Sequence, residues 1–169
     1  MKKALITGAN KGIGFETAKC LLQQGYYVYL GCRNPALGAA AVAQLLAAGL
    51  TSCEWIALDV TDAVSVEQAV ITLKDKTTVL DVLINNAGIL GQMPAPEGEA
   101  GIINAQQAFN TNYFGVLRVT SALLPLLQQA AQPRIVNVSS ETASLTLHQQ
   151  PAWEYYGFRM RLMYLPKQR

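Results

Sequence analysis

Gly8, Gly12 and Gly14, in the run Thr7-Gly8-Ala9-Asn10-Lys11-Gly12-Ile13-Gly14, are the residues whose type and spacing most directly suggest chemistry. They follow the apolar run Ala4-Leu5-Ile6 and open into the helix-like stretch Phe15 to Gln24. Where a strand reverses into a helix, residues without a Cβ let backbone N–H groups approach an anion at the helix N-terminus. A pyrophosphate, as in a dinucleotide, is the ligand such a turn suits. The spacing differs from Gly-x-Gly-x-x-Gly but does the same physical work after a strand. Read alone, the run also fits an ordinary glycine-rich turn.

Other residues of chemical interest are Arg33, Asp59, Asn85-Asn86-Ala87-Gly88 and Ser139-Ser140. The elements needed to position them can be read from hydrophobic periodicity. Strands are predicted over 4–6, 26–30, 53–58, 79–84 and 134–138. Helices are predicted from Phe15 to Gln24, from Ala36 to Ala48, after an N-cap at Thr61 or Asp62, and from about Ala105 to Gln129 with Pro125 bending its last turns. Ile89 to Gly101 reads as a surface loop. Strand and helix alternate throughout, which predicts a doubly wound α/β domain with a parallel sheet and helices on both faces. Each residue of interest falls just after a predicted strand, on the carboxyl edge where such sheets bind ligands.

Composition narrows the function classes. With 169 residues, 51% of them hydrophobic, the chain can bury one substantial core, and a single domain over 1–169 is expected. Charged residues make up 14% and the net charge is +2, so a small molecule is a better partner than nucleic acid. Cys20, Cys32 and Cys53 lack metal-ligand spacing and are expected to be reduced, buried thiols. The apolar run after Met1-Lys2-Lys3 is too short for a signal core and no stretch reaches membrane-spanning length, so a cytoplasmic location and no membrane partner are expected. No metal site is expected.

Taken as a set, Thr7-Gly8-x-x-x-Gly12-Ile13-Gly14, Asp59-Val60, Asn85-Asn86-Ala87-Gly88, Asn112-Tyr113-Phe114-Gly115 and Ile135-Val136-Asn137-Val138-Ser139-Ser140 resemble the short-chain dehydrogenase/reductase family, and within it the carbonyl-reductase-like members. The resemblance covers roughly residues 1 to 145 and implies a Rossmann-like, NAD(P)-binding domain. It assigns cofactor binding to Gly8, Asn10, Lys11, Gly12, Ile13, Gly14, Arg33, Asp59, Val60, Asn86, Ala87 and Gly88. Within that set Asp59 would accept from the adenine amino group. Arg33 stands where this fold meets the adenosine ribose; a carboxylate there accepts from a free hydroxyl, whereas a guanidinium pairs with a 2′-phosphate. With Lys11 as a second cation, NADP(H) is expected over NAD(H).

The family runs hydride transfer to a carbonyl, or from an alcohol, with a tyrosine exchanging the proton. By resemblance Ser140 would bond the substrate oxygen, and Asn112 would position through water the lysine that lowers the tyrosine pKa. The sequence departs from the family at the tyrosine and lysine. Tyr155 is followed at the Tyr-x-x-x-Lys spacing by Arg159, and Tyr156 by Met160. Leu162, Tyr164 and Leu165 favour the Tyr155 and Arg159 register, while the Tyr156-Gly157 pair favours the other. Arginine keeps a charge but not the point contact of an ammonium, so impaired activity is expected in either register. The family's last strands and substrate lid are also expected to be missing. Two functions follow: an NADPH-dependent carbonyl reductase acting on a small carbonyl or alcohol, or a cofactor-binding but catalytically silent partner or regulator. A homo-oligomer is compatible with both, since the fifth strand would be an uncovered sheet edge. A poorly folding fragment is the third outcome.

Overall fold

The computed structural model describes residues 1–92, 96–141, 144 and 146–152. Five strands, β1 (Lys3–Thr7), β2 (Tyr27–Cys32), β3 (Cys53–Ala57), β4 (Val82–Asn85) and β5 (Arg134–Asn137), form one parallel sheet in the order β3-β2-β1-β4-β5. Helices α1 (Gly12–Gln23), α2 (Pro35–Ala47), α3 (Ala63–Lys76), α4 (Gly98–Phe109) and α5 (Gly115–Leu127) connect them.

Alternation within the strands divides the apolar residues between two cores, because successive strand side chains point to opposite faces. On one face Leu5, Tyr29, Ile56 and Leu83 pack with Val66, Ala69 and Leu73 of α3 and Val119, Leu123 and Leu127 of α5. On the other, Ile6, Val28, Leu30 and Ile84 pack with Ala18 and Leu22 of α1 and Ala41 and Leu45 of α2. Helices cover both faces, as the strand–helix alternation predicts.

The chain winds outward from β1 through β2 to β3, then crosses back to place β4 on the other side of β1. The loops leaving β1 and β4 therefore diverge from neighbouring strands, which opens a crevice at the carboxyl edge. Both the glycine run and Asn85 to Gly88 lie at this point.

Several element bounds and one cysteine differ from the sequence reading. β4 starts at Val82 rather than residue 79, because Thr77 ties residues 77–79 into a turn: its Oγ1 donates to the Val79 carbonyl at 2.8 Å and accepts from Val79 N at 3.1 Å. α4 begins at Gly98, inside the expected loop; Gly101 lets the chain pass the Pro96 carbonyl, which a Cβ would approach to 2.3 Å. The long helix is divided by a π-helical turn over Asn110–Phe114, and α5 runs through Pro125 to Leu127. The helix α3 is capped by Asp62, whose carboxylate accepts from Val64 N at 3.0 Å. Cys32 and Cys53 are buried and free, but Cys20 is exposed, on the outer side of α1, so the expectation of three buried thiols fails there. β5 borders only β4 among the described residues, with Ile135, Val136 and Val138 partly exposed.

Candidate functional site

The glycine run forms a turn in which its three glycines do different work. Gly8 and Gly12 have φ of +65° and +58°, in the left-handed region that disfavours other residues. A Cβ on Gly12 would meet nothing within 4 Å, so this face of the turn is open. A Cβ on Gly14 would lie 2.4 Å from Asn86 Nδ2 and 2.8 Å from the Gly8 carbonyl oxygen. Gly14 is therefore a packing residue and Gly12 a conformational one.

The turn is held against the β4 loop by side chains that have little left to offer a ligand. Asn86 Nδ2 donates to the carbonyls of Thr7 at 2.9 Å and Gly8 at 3.2 Å. Thr7 Oγ1 accepts from Asn86 N at 3.0 Å and Ala87 N at 2.9 Å. Ala87 is small because Gly8 lies against it: a Cβ on Gly8 would be 3.0 Å from Ala87 Cα. Thr7 opens the glycine run, and its position one residue before Gly8 is the only sequence signal for this role.

α1 begins here without compensation. Its N-cap, Lys11, makes no capping hydrogen bond, and its first turn carries no acidic residue. A helix start of this kind, facing open space above Gly12, matches the donor set that a phosphate group requires. Lys11 and Arg33 are both exposed, and neither side chain has a hydrogen bond or ion pair among the described residues. Arg33 is nevertheless set between pinned neighbours. The Cys32 carbonyl accepts from Trp55 Nε1 at 3.1 Å and from Leu58 N at 3.2 Å, while Asn34 caps α2 by accepting from Leu37 N at 3.1 Å. Asn10 is partly exposed in the turn, and Ile13 is 69% exposed beside it.

Asp59 follows β3. Its Oδ1 accepts from Thr61 N at 2.9 Å and Thr61 Oγ1 at 2.7 Å, which leaves Oδ2 on the opposite side of the carboxylate. Ser65 Oγ accepts from Asp59 N at 2.9 Å and fixes the bend from α3. Val60 is buried beneath α5, where Gly115 presses on it: a Cβ there would be 2.9 Å from Val60 Cγ2.

On the far side of the crevice, Asn112 lies in the π turn, a helical irregularity that concentrates at functional positions. Its Oδ1 accepts from Ile89 N at 2.9 Å and its Nδ2 donates to the Ile89 carbonyl at 2.8 Å. The side chain thus clamps the loop after β4, beside Gly88, whose absent Cβ would sit 3.4 Å from Asn112 Oδ1. Ser140 follows β5 on the same sheet edge and is exposed. The structure brings the glycine turn, Arg33, Asp59, Asn86 to Gly88, Asn112 and Ser140 to one edge. Tyr155, Tyr156 and Arg159 lie outside the described residues.

No cluster of three or more metal-ligating side chains exists among the described residues, and no helix there is long and apolar enough to cross a membrane. Three likenesses to known proteins bear on the site. Short-chain dehydrogenase/reductase 1 of Saponaria officinalis is 40% identical over 162 residues, covering 84% of this chain and 54% of its own. Carbonyl reductase [NADPH] 1 of Sus scrofa is 43% identical over 138 residues, covering 81% of this chain and 46% of its own. The solved structure of salutaridine reductase from Papaver somniferum superposes with a TM-score of 0.78 at 34% identity, covering 87% of this chain and 60% of that one. The chain spans about half the length of the curated relatives it matches. A model of the short chain dehydrogenase family matches residues 2–157. Because that match runs almost end to end and the fold agrees with it, the chain belongs to the short-chain dehydrogenase/reductase family of oxidoreductases.

Proposed function

We propose that the protein is an NADPH-dependent reductase of small carbonyl compounds. The observation that carries this reading is the open helix start at Lys11 and Gly12, on the sheet edge that also carries Arg33, with both cations unpaired among the described residues. Two cations that no carboxylate pairs among the described residues suit a ligand with one phosphate more than NADH has. In support, one relative carries NADPH in its name.

The residues of this chain fit such a cofactor in the following way. The N–H groups at the start of α1 would hold the pyrophosphate, Arg33 and Lys11 the 2′-phosphate, and Asp59 Oδ2 the adenine amino group. When bound, the dihydronicotinamide supplies a hydride to the substrate's carbonyl carbon. Ser140 would donate a hydrogen bond to the substrate oxygen, and Tyr155 or Tyr156 would give that oxygen its proton. Arg159 would favour the phenolate left behind if Tyr155 is the donor. Its fork cannot reproduce the point contact of a lysine, so slow turnover is part of the proposal.

Fluorescence titration with NADPH and NADH, followed by a panel of aldehydes and ketones, tests the reading. NADPH is expected to bind at least tenfold more tightly than NADH, since charge-assisted hydrogen bonds contribute about 1.5–3 kcal/mol each, and Arg33→Ala should erase most of that preference. Equal affinity for the two cofactors would overturn the NADPH assignment. Binding without turnover on the whole panel would instead identify a silent, cofactor-binding protein.

A further inference from the structure

Arg118 is a cation that the proposed function leaves without a role. It projects from the first turn of α5 and is half-buried. One Nη donates to the Val60 carbonyl, and the other donates to Asn110 Oδ1 at 3.3 Å. Both acceptors are neutral oxygens on separate connections: Val60 on the bend after β3, Asn110 in the π turn. A planar guanidinium can hold two acceptors in fixed directions at once, whereas an ammonium on a flexible stem does not impose that geometry.

These bonds join two candidate parts of the site. The Asp59-Val60 bend carries the candidate adenine contact. The π turn carries Asn112, whose amide clamps Ile89 at 2.9 and 2.8 Å. A continuous path therefore runs from the Val60 carbonyl through Arg118 and Asn110 to Asn112 and the loop after β4. Gly115 closes the same junction from the other side, since a Cβ there would come within 3.2 Å of the Val60 carbonyl oxygen. Thr120, half a turn on, receives Asn85 Nδ2 at 3.1 Å, so α5 is also bonded to the end of β4. The start of α5 is thus hydrogen-bonded to both flanks of the crevice.

We propose that Arg118 is a positioning residue that couples the adenine side of the site to the station of Asn112, so that nucleotide held at 59–62 stiffens the π turn at 110–114. This rests on the cofactor reading above. The physical warrant is a hydrogen-bonded connection between two loops, which coupling measurements can test directly.

The experiment is hydrogen exchange read by mass spectrometry on the whole chain, free and with adenosine 2′,5′-bisphosphate, for the wild type, Arg118→Lys and Arg118→Met. In the wild type the nucleotide should slow exchange at 59–62 and at 110–114 together. In Arg118→Lys the protection should persist at 59–62 and disappear at 110–114. NADPH affinity should fall by about threefold to tenfold in either variant, the loss expected from a pair of hydrogen bonds on a half-buried charge. Lysine keeps the charge and most of the packing, so its variant separates the fork from a general loss of fold, which the thermal midpoint also reports. Undiminished transmission to 110–114 in both variants would overturn the role of Arg118, as would protection in the wild type confined to 59–62. A wild type protected in neither segment, with no NADPH bound, would overturn the cofactor reading itself and Arg118's role with it.

Discussion

Gly14→Ala should destabilise the protein although alanine is the better helix former. The added Cβ would come to 2.4 Å from Asn86 Nδ2, 2.8 Å from the Gly8 carbonyl oxygen and 3.1 Å from Ala9 Cα. Two of those three are backbone atoms of a tight turn, which cannot retreat as the end of a flexible side chain can. Overpacking of this kind costs about 1–3 kcal/mol. Displacing Asn86 also breaks its bonds to the Thr7 and Gly8 carbonyls, at about 1 kcal/mol each. Replacing glycine in a helix returns about 1 kcal/mol. The net loss is about 2–4 kcal/mol, read as a fall in the urea midpoint at unchanged slope. Asn86→Ala should cost about 2 kcal/mol by itself, but the double variant should be more stable than the sum of the two by about 2 kcal/mol or more, because the same two hydrogen bonds are lost only once and the first clash is then gone. Gly12→Ala is the control: it meets nothing within 4 Å, and only its left-handed φ of +58° costs, by about 1–2 kcal/mol. A Gly14→Ala protein within about 0.5 kcal/mol of wild type, roughly the resolution of such measurements, would refute the packing argument, and so would strict additivity with Asn86→Ala.

Two further outcomes are expected. Tyr27 donates to Glu54 Oε1 at 3.0 Å, while Glu54 Oε2 holds Lys76 at 2.6 Å; burial first, and the Glu54 hydrogen bond second, push the phenol from 10.0 up to about 12. Since the folded value is the higher one, the stability it contributes is fully present below pH 10 and lost as the pH rises through about 12. Thermal midpoints should therefore fall more steeply over that window in the wild type than in Tyr27→Phe, and parallel curves would contradict this. Asn112→Ala should leave global stability within about 1 kcal/mol, because its amide is exposed and water can replace the lost bonds. Exchange at Ile89 N should nevertheless rise at least severalfold, and an unchanged rate there would count against the clamp.

Most of the fold was legible because its physical causes are local. Alternating apolar runs such as Leu5 and Ile6 face two cores, and the parallel order follows once each strand needs a crossover. The π turn was not legible, since Asn110 to Phe114 continues a helical pattern and only tertiary bonding sets the widened geometry. Thr77 hid the start of β4 by side-chain bonding within what reads as an apolar strand. The candidate site was legible where short runs carry it, at Gly8 to Gly14, Asp59 and Asn86 to Gly88. Arg118 was not, because 58 residues separate it from Val60 and nothing in its neighbourhood marks it. The role of Trp55 is hidden in the sequence for the same reason: its bond to the Cys32 carbonyl and its closeness to Gly38, where a Cβ would be 2.0 Å from the ring, exist only once β3 lies beside β2.

The motif residues on the crevice edge divide by what their polar atoms are already doing. Thr7 Oγ1, Asn86 Nδ2 and the Asn112 amide are engaged with backbone, and Asp59 has one carboxylate oxygen engaged with Thr61. Such side chains build the edge, and their substitution should be felt first in local order. The Lys11 and Arg33 side chains are engaged with nothing among the described residues, and the start of α1 has no side-chain cap. Charge left unpaired at an otherwise hydrogen-bonded edge is where ligand discrimination can reside without cost to the scaffold. Family membership is therefore written in the residues that hold the turn together, whereas under the proposed function the choice between cofactors would fall to the two exposed cations.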